Sequence, residues 1–421
     1  VSGDPTRKIS NLQKLLKDYK RSPYQDDALY EMGVTNLVMN NDKAALLNFQ
    51  QITKDFPKSI YVKRSVLKSG LIYFNQNHDE LALSTLQKVV TDYPGTPESK
   101  EALASIRSIY VEMNEVDNYL KYAKDVPFAD VSQSEKDSLT YIAAENIYMN
   151  GNCEKATSSF NNYISKYKDG AFAINANFYR AECDYKAGRN EQALSGYNYV
   201  LQQPRSRFTE SAALKAARIS FAQANYTMAV ANYIRLEELS ESSANTTEAL
   251  TGEMRCNYKL ASYGMALQAA QKLLQIENQP SDLVAEAHLT AAKSALALKN
   301  NDLARREFEE TVKVSQGDAG AEAKYNLAAL EFENADYSMS EKSLFALSKD
   351  YASSDYWVAK GFILLSDVYM KKGNTFQAKQ TLQSIIDNYN GDDLKTIAKT
   401  KLASINQAEP KPADNTQPET E

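Results

Sequence analysis

Ten pairs of residues four apart, most of them a small residue followed by a large apolar one, recur along the chain: Ala45/Phe49, Ala82/Leu86, Tyr119/Ala123, Ala156/Phe160, Ala193/Tyr197, Ala229/Tyr233, Ala266/Ala270, Ala304/Phe308, Ser340/Leu344 and Ala378/Leu382. Successive pairs lie 36 to 38 residues apart. Twelve positions before each pair stands a second, mostly small column that includes Gly33, Gly70, Ala144, Ala181, Ala217 and Ala292. Eight positions before it stands an apolar or aromatic column, running from Leu37, Phe74 and Val111 through Tyr148 and Tyr185 to Met370. Residues four apart share one helical face, so each period predicts two helices. Close helix crossings need a residue with little side chain where the backbones approach, flanked by large ones that fill the rest. Turn-forming stretches such as Asn40-Asn41-Asp42 and Gly188-Arg189-Asn190 separate the two helices, and Pro57 and Pro94 close the early units because proline cannot continue a helix.

A period of this kind predicts stacked units that bury their apolar faces on one another. A length of 421 residues also admits two or three globular domains, and only the register across the whole chain argues for the array. Hydrophobic residues make up 43%, which supplies a core, while 15 glycines and 11 prolines are too few for a turn-rich sheet protein. The formal charge of −6, with Lys and Arg interspersed among Asp and Glu, argues against nucleic acid as a partner. No apolar run approaches the ~18 residues of a membrane span.

These offsets, a small residue, an aromatic, a turn, Ala-x-x-x-Phe and then Pro, resemble the tetratricopeptide repeat over residues 24–391. Pro57 and Pro94 match the closing proline of that family, whereas most later units close on Ser, Gly or Asn. The resemblance implies an all-α fold, an α-solenoid superhelix of about ten TPR-like helix-turn-helix repeats with a C-terminal capping helix. Residues 1–22 are expected to hold a lone second helix, half a repeat of an array that extends upstream, and residues 23–391 the repeats themselves. Residues 392–406 are the expected capping helix, with Ala403 in the small column, and residues 407–421 lack apolar periodicity and read as a disordered tail. Repeat three departs most, because Arg107 and Tyr119 replace both small residues and Val126-Pro127-Phe128 follows, so a kink or altered curvature is expected near residues 115–134. The Asp-aromatic-Pro endings are similar to those of the bacterial cell-envelope branch of the family, which implies a periplasmic or envelope location, with the cytoplasm as the alternative.

Candidate chemistry is sparse. His78 and His288 stand in different repeats without partner spacing, and no phosphate loop, GxSxG or HExxH occurs. Neither catalytic residues, nor a metal, nor a cofactor is therefore expected. The three cysteines leave two readings open: Cys153 and Cys183 fall at the same edge of the array and can pair, while Cys183 and Cys256 occupy the same position of two repeats, as small apolar core residues would.

In the tetratricopeptide family the first helices line a concave groove, and the resemblance carries that surface to particular columns here. Eleven positions before each Ala stand Glu145, Glu182, Arg218, Arg255 and Lys293, where acid gives way to base. Fifteen positions before it stand Tyr141 and Phe178, expected to set aromatic surface beside those charges. The competing reading is a solvated edge over core aromatics. The implied function is a non-catalytic scaffold or adaptor for other proteins or peptide segments, associated with a membrane only through upstream sequence or partners. The alternative is an outer-membrane nutrient or glycan receptor built on the same repeats, against which the single tryptophan, Trp357, argues.

Overall fold

The structure, a computed structural model, describes residues 4–408; they form 22 helices and no strand. The array expected over residues 23–391 is distributed over two compact units, Val1–Pro204 and Arg205–Glu421. In the first unit α1 (Pro5–Asp18) precedes five helix pairs: α2 (Gln25–Val38) with α3 (Asp42–Asp55), α4 (Val62–Asn75) with α5 (Asp79–Asp92), α6 (Pro97–Glu112) with α7 (Val116–Lys124), α8 (Gln133–Met149) with α9 (Cys153–Lys166), and α10 (Ala173–Lys186) with α11 (Asn190–Gln202). The second unit pairs α12 (Thr209–Ala222) with α13 (Tyr226–Leu239), α14 (Ser243–Lys259) with α15 (Tyr263–Leu274), α16 (Ser281–Ala297) with α17 (Asn301–Val314), α18 (Asp318–Glu333) with α19 (Tyr337–Asp350), and α20 (Asp355–Lys371) with α21 (Thr375–Asn388), followed by α22 (Asp392–Ala408). Residues 409–421, where most of the expected tail falls, lie outside the described residues.

One device closes every first helix. Five positions before each Ala-column residue the backbone turns left-handed, from Asn40 (φ 55°) to Gly373 (φ 77°). The amide of the next residue then donates back five positions, Asn41 N–H to Asn36 O at 2.8 Å in the first repeat and Asn374 N–H to Tyr369 O at 2.8 Å in the tenth. This satisfies a carbonyl that the helix end leaves free. Asn41, Asn152, Asn225, Asn300 and Asp336 then cap the second helix, each accepting from the amide three residues on. Two residues thus reverse the chain.

The small columns behave as the packing requirement demands. A Cβ placed on Gly33 would lie 2.5 Å from the Phe49 ring, and one on Gly70 2.6 Å from Leu86 Cδ2. Where the Ala column carries Ser340, its hydroxyl donates to Ala328 O at 2.8 Å, so the buried oxygen is satisfied. A further column, seventeen positions before the Ala, escaped the sequence reading: Ala102, Ala176, Ala212, Ala249, Ala287 and Ala323 are all fully buried. Gly361 in that column faces Leu347 of the preceding second helix, 2.8 Å from an added Cβ. One small column therefore serves the crossing within a repeat and the other the crossing between repeats.

Repeat three departs through its second helix. With Arg107 in place of a small residue and paired to Glu135 at 2.7 Å, α7 is only nine residues long and residues 125–132 run without helix. Large and small have exchanged places, and Tyr119 and Ala123 are both buried, with Val126 completing the core. At the C-terminal end the placement of Ala403 requires correction. Ala403 is exposed, and the small residue that α22 buries is Ala398, beside Leu394. Among the described residues no second helix follows α22, so only its inter-repeat column has something to pack on.

The cysteine alternatives are resolved as well. Cys153 at the start of α9 and Cys183 near the end of α10 form a disulfide, with Cα atoms 5.1 Å apart, and Cys256 alone is the buried free thiol. The core-column reading holds for Cys256, whose thiol burial pushes up to about 11.

Candidate partner-binding site

The first-helix columns singled out in the sequence occupy both units. In the first unit Tyr141 and Phe178 are buried, 2% and 7% exposed, so the aromatic surface expected beside the charges is core instead. Tyr141 stacks on Phe172 with ring centroids 4.4 Å apart, and its hydroxyl donates to Glu145 Oε1 at 2.5 Å. Burial and that carboxylate push the phenol well above its usual range. Glu182 accepts from the Tyr197 hydroxyl at 2.8 Å. The two acidic residues are thus anchored by tyrosines, one within a helix and one across the turn of its repeat.

In the second unit the basic column forms a ladder. Arg218 on α12 makes a two-pronged pair with Glu248 on α14, Arg255 on α14 pairs with Glu286 on α16 through two bonds of 2.6 Å, and Lys293 on α16 reaches Glu322 on α18 at 2.7 Å. Each cation reaches one repeat forward to a carboxylate eighteen positions before the next Ala. Sequence reasoning found the cations and missed their partners, although Glu248, Glu286 and Glu322 share one column and were visible as such. The Arg255 guanidinium is held above its usual range chiefly by its bond to Glu286. Lys293 loses hydration on burial, but its bond to Glu322 outweighs that loss and the ammonium is raised as well. The guanidinium side chains remain 46% exposed, so the ladder faces solvent.

An open cavity of 480 Å³ adjoins these pairs. Phe221 and Tyr233 contribute apolar surface, Glu248, Arg255, Asp282 and Glu286 charge, and Pro280 with Leu283 the far wall. Gly252 is required at its position, because any Cβ there would run into the Tyr233 ring. Burial pushes the Tyr233 phenol up to about 12, so it stays a neutral donor. His288 is paired to Glu307 at 2.7 Å and takes no part in this surface.

The tetratricopeptide repeat model matches residues 27–59, 64–96 and 362–389. Among solved structures, the C-terminal part of a TPR repeat-containing protein from Cytophaga hutchinsonii is 12% identical, with a TM-score of 0.42 over 60% of this chain and 97% of that one. Yeast Tom70 is 10% identical, with a TM-score of 0.36 over 96% of each chain. No curated protein matches the chain. Matched segments lie in the first unit and in the second, and the same two-helix period, left-handed turn and paired small columns recur in the repeats of both: the three matched segments are tetratricopeptide repeats, and the other units of the chain share their helix-turn-helix pattern.

Proposed function

We propose that this protein is a non-catalytic interaction scaffold that receives an extended peptide segment of a partner along the ladder of the second unit. The observation that carries this reading is the row of half-exposed ion pairs, Arg218–Glu248, Arg255–Glu286 and Lys293–Glu322, beside the cavity under Tyr233. Each pair fixes two long side chains in one geometry before a partner arrives, which lowers the ordering cost of binding. A peptide backbone laid along such a row meets alternating acceptors and donors, with Phe221 and Leu283 offering apolar contact.

An oxidising compartment, the bacterial periplasm or cell envelope, is the proposed location. The Cys153–Cys183 disulfide supports it, since such bonds persist where thiols are not kept reduced, and the Asp-aromatic-Pro repeat endings fit the same setting. The test is a charge exchange that keeps the pair, Arg255→Glu with Glu286→Arg, followed by quantitative comparison of the proteins captured with the wild-type chain. Loss of specific partners with an unchanged melting temperature is expected. An identical captured set would refute the ladder as the docking surface.

A further inference from the structure

A second cavity, of 470 Å³, opens on the other side of α14, between α13 and α15. At its base lies Glu253, only 6% exposed. The position, thirteen before the Ala column, is core elsewhere: eight of the ten repeats bury an apolar or small residue there, from Met32 to Leu365. In repeat five Arg180 stands there and donates to Asn161 at 3.2 Å. Glu253 is different. Its Oε1 has no hydrogen-bond partner, as Glu98 Oε2 and Glu331 Oε2 have none, but Glu98 and Glu331 each face a basic side chain, whereas no cation of the described residues lies within ion-pair distance of Glu253, whose carboxyl meets only that of Glu237. A buried acceptor left unmet keeps its full desolvation cost, and such breaks in an otherwise consistent pattern concentrate at functional positions.

The groups facing Glu253 define what would satisfy it. Glu237 and Glu238 come from α13, and the one ammonium, Lys272 from α15, is already bound to Glu237 at 2.7 and 3.0 Å. Three carboxylates share one cation, so the cavity is short of positive charge. Ile234 and Met265 form apolar walls above it. We propose that this cavity receives a lysine side chain of a partner protein, its ammonium against Glu253 Oε1 and its alkyl stem along Ile234 and Met265. A compact point charge on a flexible apolar stem suits one orphaned oxygen, where a guanidinium would look for a matched pair. Burial first, and then Glu237, push the Glu253 carboxyl up to about 7, so the probe is best offered at pH 8. This site is separate from the ladder and does not depend on it.

The experiment uses the full chain labelled at methionine methyls, with the Met265 signal assigned through Met265→Leu. Acetyl-trilysine-amide is expected to shift that signal saturably at pH 8, its Nε-acetylated counterpart to leave it unmoved, and Glu253→Gln to weaken the response at least tenfold. Glu253→Asp, which keeps the charge but withdraws the oxygen, is expected to weaken it several-fold and serves if the glutamine variant fails to fold. An unmoved Met265 signal, or equal affinity in the Glu253 variants, overturns the site. A shift with spermidine but not with trilysine overturns its assignment to a protein side chain.

Discussion

The segment from α8 to α11 and the segment from α12 to α18 solve the same problem with different chemistry. Both must tie one first helix to its neighbours beyond what small-on-large packing supplies. The earlier segment uses a disulfide and buried phenols: Cys153–Cys183, Tyr163 donating to Asp137 at 2.5 Å and Tyr197 to Glu182 join different helices, while Tyr141 to Glu145 braces α8 internally. The later one uses ion pairs at the solvent edge. Covalent and desolvated ties lose little to salt, whereas exposed pairs are screened and are individually weak. The first arrangement makes a fixed element, and the second a surface whose charges remain available to another molecule.

The sharpest way to break this contrast is reduction. The disulfide closes a loop of 30 residues, which corresponds to about 3–4 kcal/mol in the chain-entropy account. Dithiothreitol, or Cys153→Ser with Cys183→Ser, is expected to lower amide-exchange protection in α8 to α11. Trp357, the only tryptophan, lies in the second unit and reports on it separately. Its fluorescence transition in denaturant should stay in place; equal losses in both units would show that the bond acts on the whole chain.

How much of this was legible in the sequence differs by feature. The small columns were, because a close crossing leaves almost no choice of residue, and Gly33 against Phe49 shows how narrow the tolerance is. The column at Ala102 and Ala176 was equally readable, but it answers to the preceding repeat's second helix, a partner that lies outside the pair on which the register was anchored. The disulfide depended on which helix ends share an edge, and the match of Cys183 with Cys256 marked a core column in which both are fully buried, without telling that one of the two is also bonded to Cys153. At the candidate site the cations were found by column. Their carboxylates lie 29 to 31 residues further on, beyond the spacings at which side chains of one helix meet. Tyr141 in a first-helix column gave no sign of whether it faced core or solvent.

A smaller effect comes from deleting one tie of each kind. Tyr163→Phe removes the hydroxyl that Asp137 accepts from and that also receives the Phe172 amide at 3.1 Å, leaving a buried carboxylate with the Ala171 amide alone. A cost of about 2–3 kcal/mol, insensitive to salt, is expected from chemical denaturation followed by amide exchange. Arg255→Met exposes Glu286 to water and should cost about 0.5–1 kcal/mol by Trp357 fluorescence, most of it lost between about 0.1 M and about 1 M NaCl. If both variants respond to salt alike, the chemical distinction between the segments fails.

The smallest effect lies in the turns, where the two units also differ. The left-handed position is Asn40, Asn77, Asn114, Gly151 and Gly188 in the first unit, but Ala224, Ala261, Lys299, Ala335 and only then Gly373 in the second. Gly, without a β-carbon, and Asn, whose short amide bonds locally, enter this region readily, whereas other residues pay about 1–2 kcal/mol there. Gly188 has no atom within 4 Å of where a Cβ would stand, so Gly188→Ala tests the backbone alone. Relief at Ala261→Gly is offset by the greater freedom of glycine in the unfolded chain, about 0.4–1 kcal/mol. The net expectation is a gain of about 0.5 kcal/mol for Ala261→Gly and a loss of similar size for Gly188→Ala, a melting shift of about 1–2 °C in opposite directions by calorimetry. Because the turn only reverses the chain, the partner-binding surface should be untouched by either change, and a shift of the same sign in both variants would mean that the backbone conformation at these positions does not set their cost.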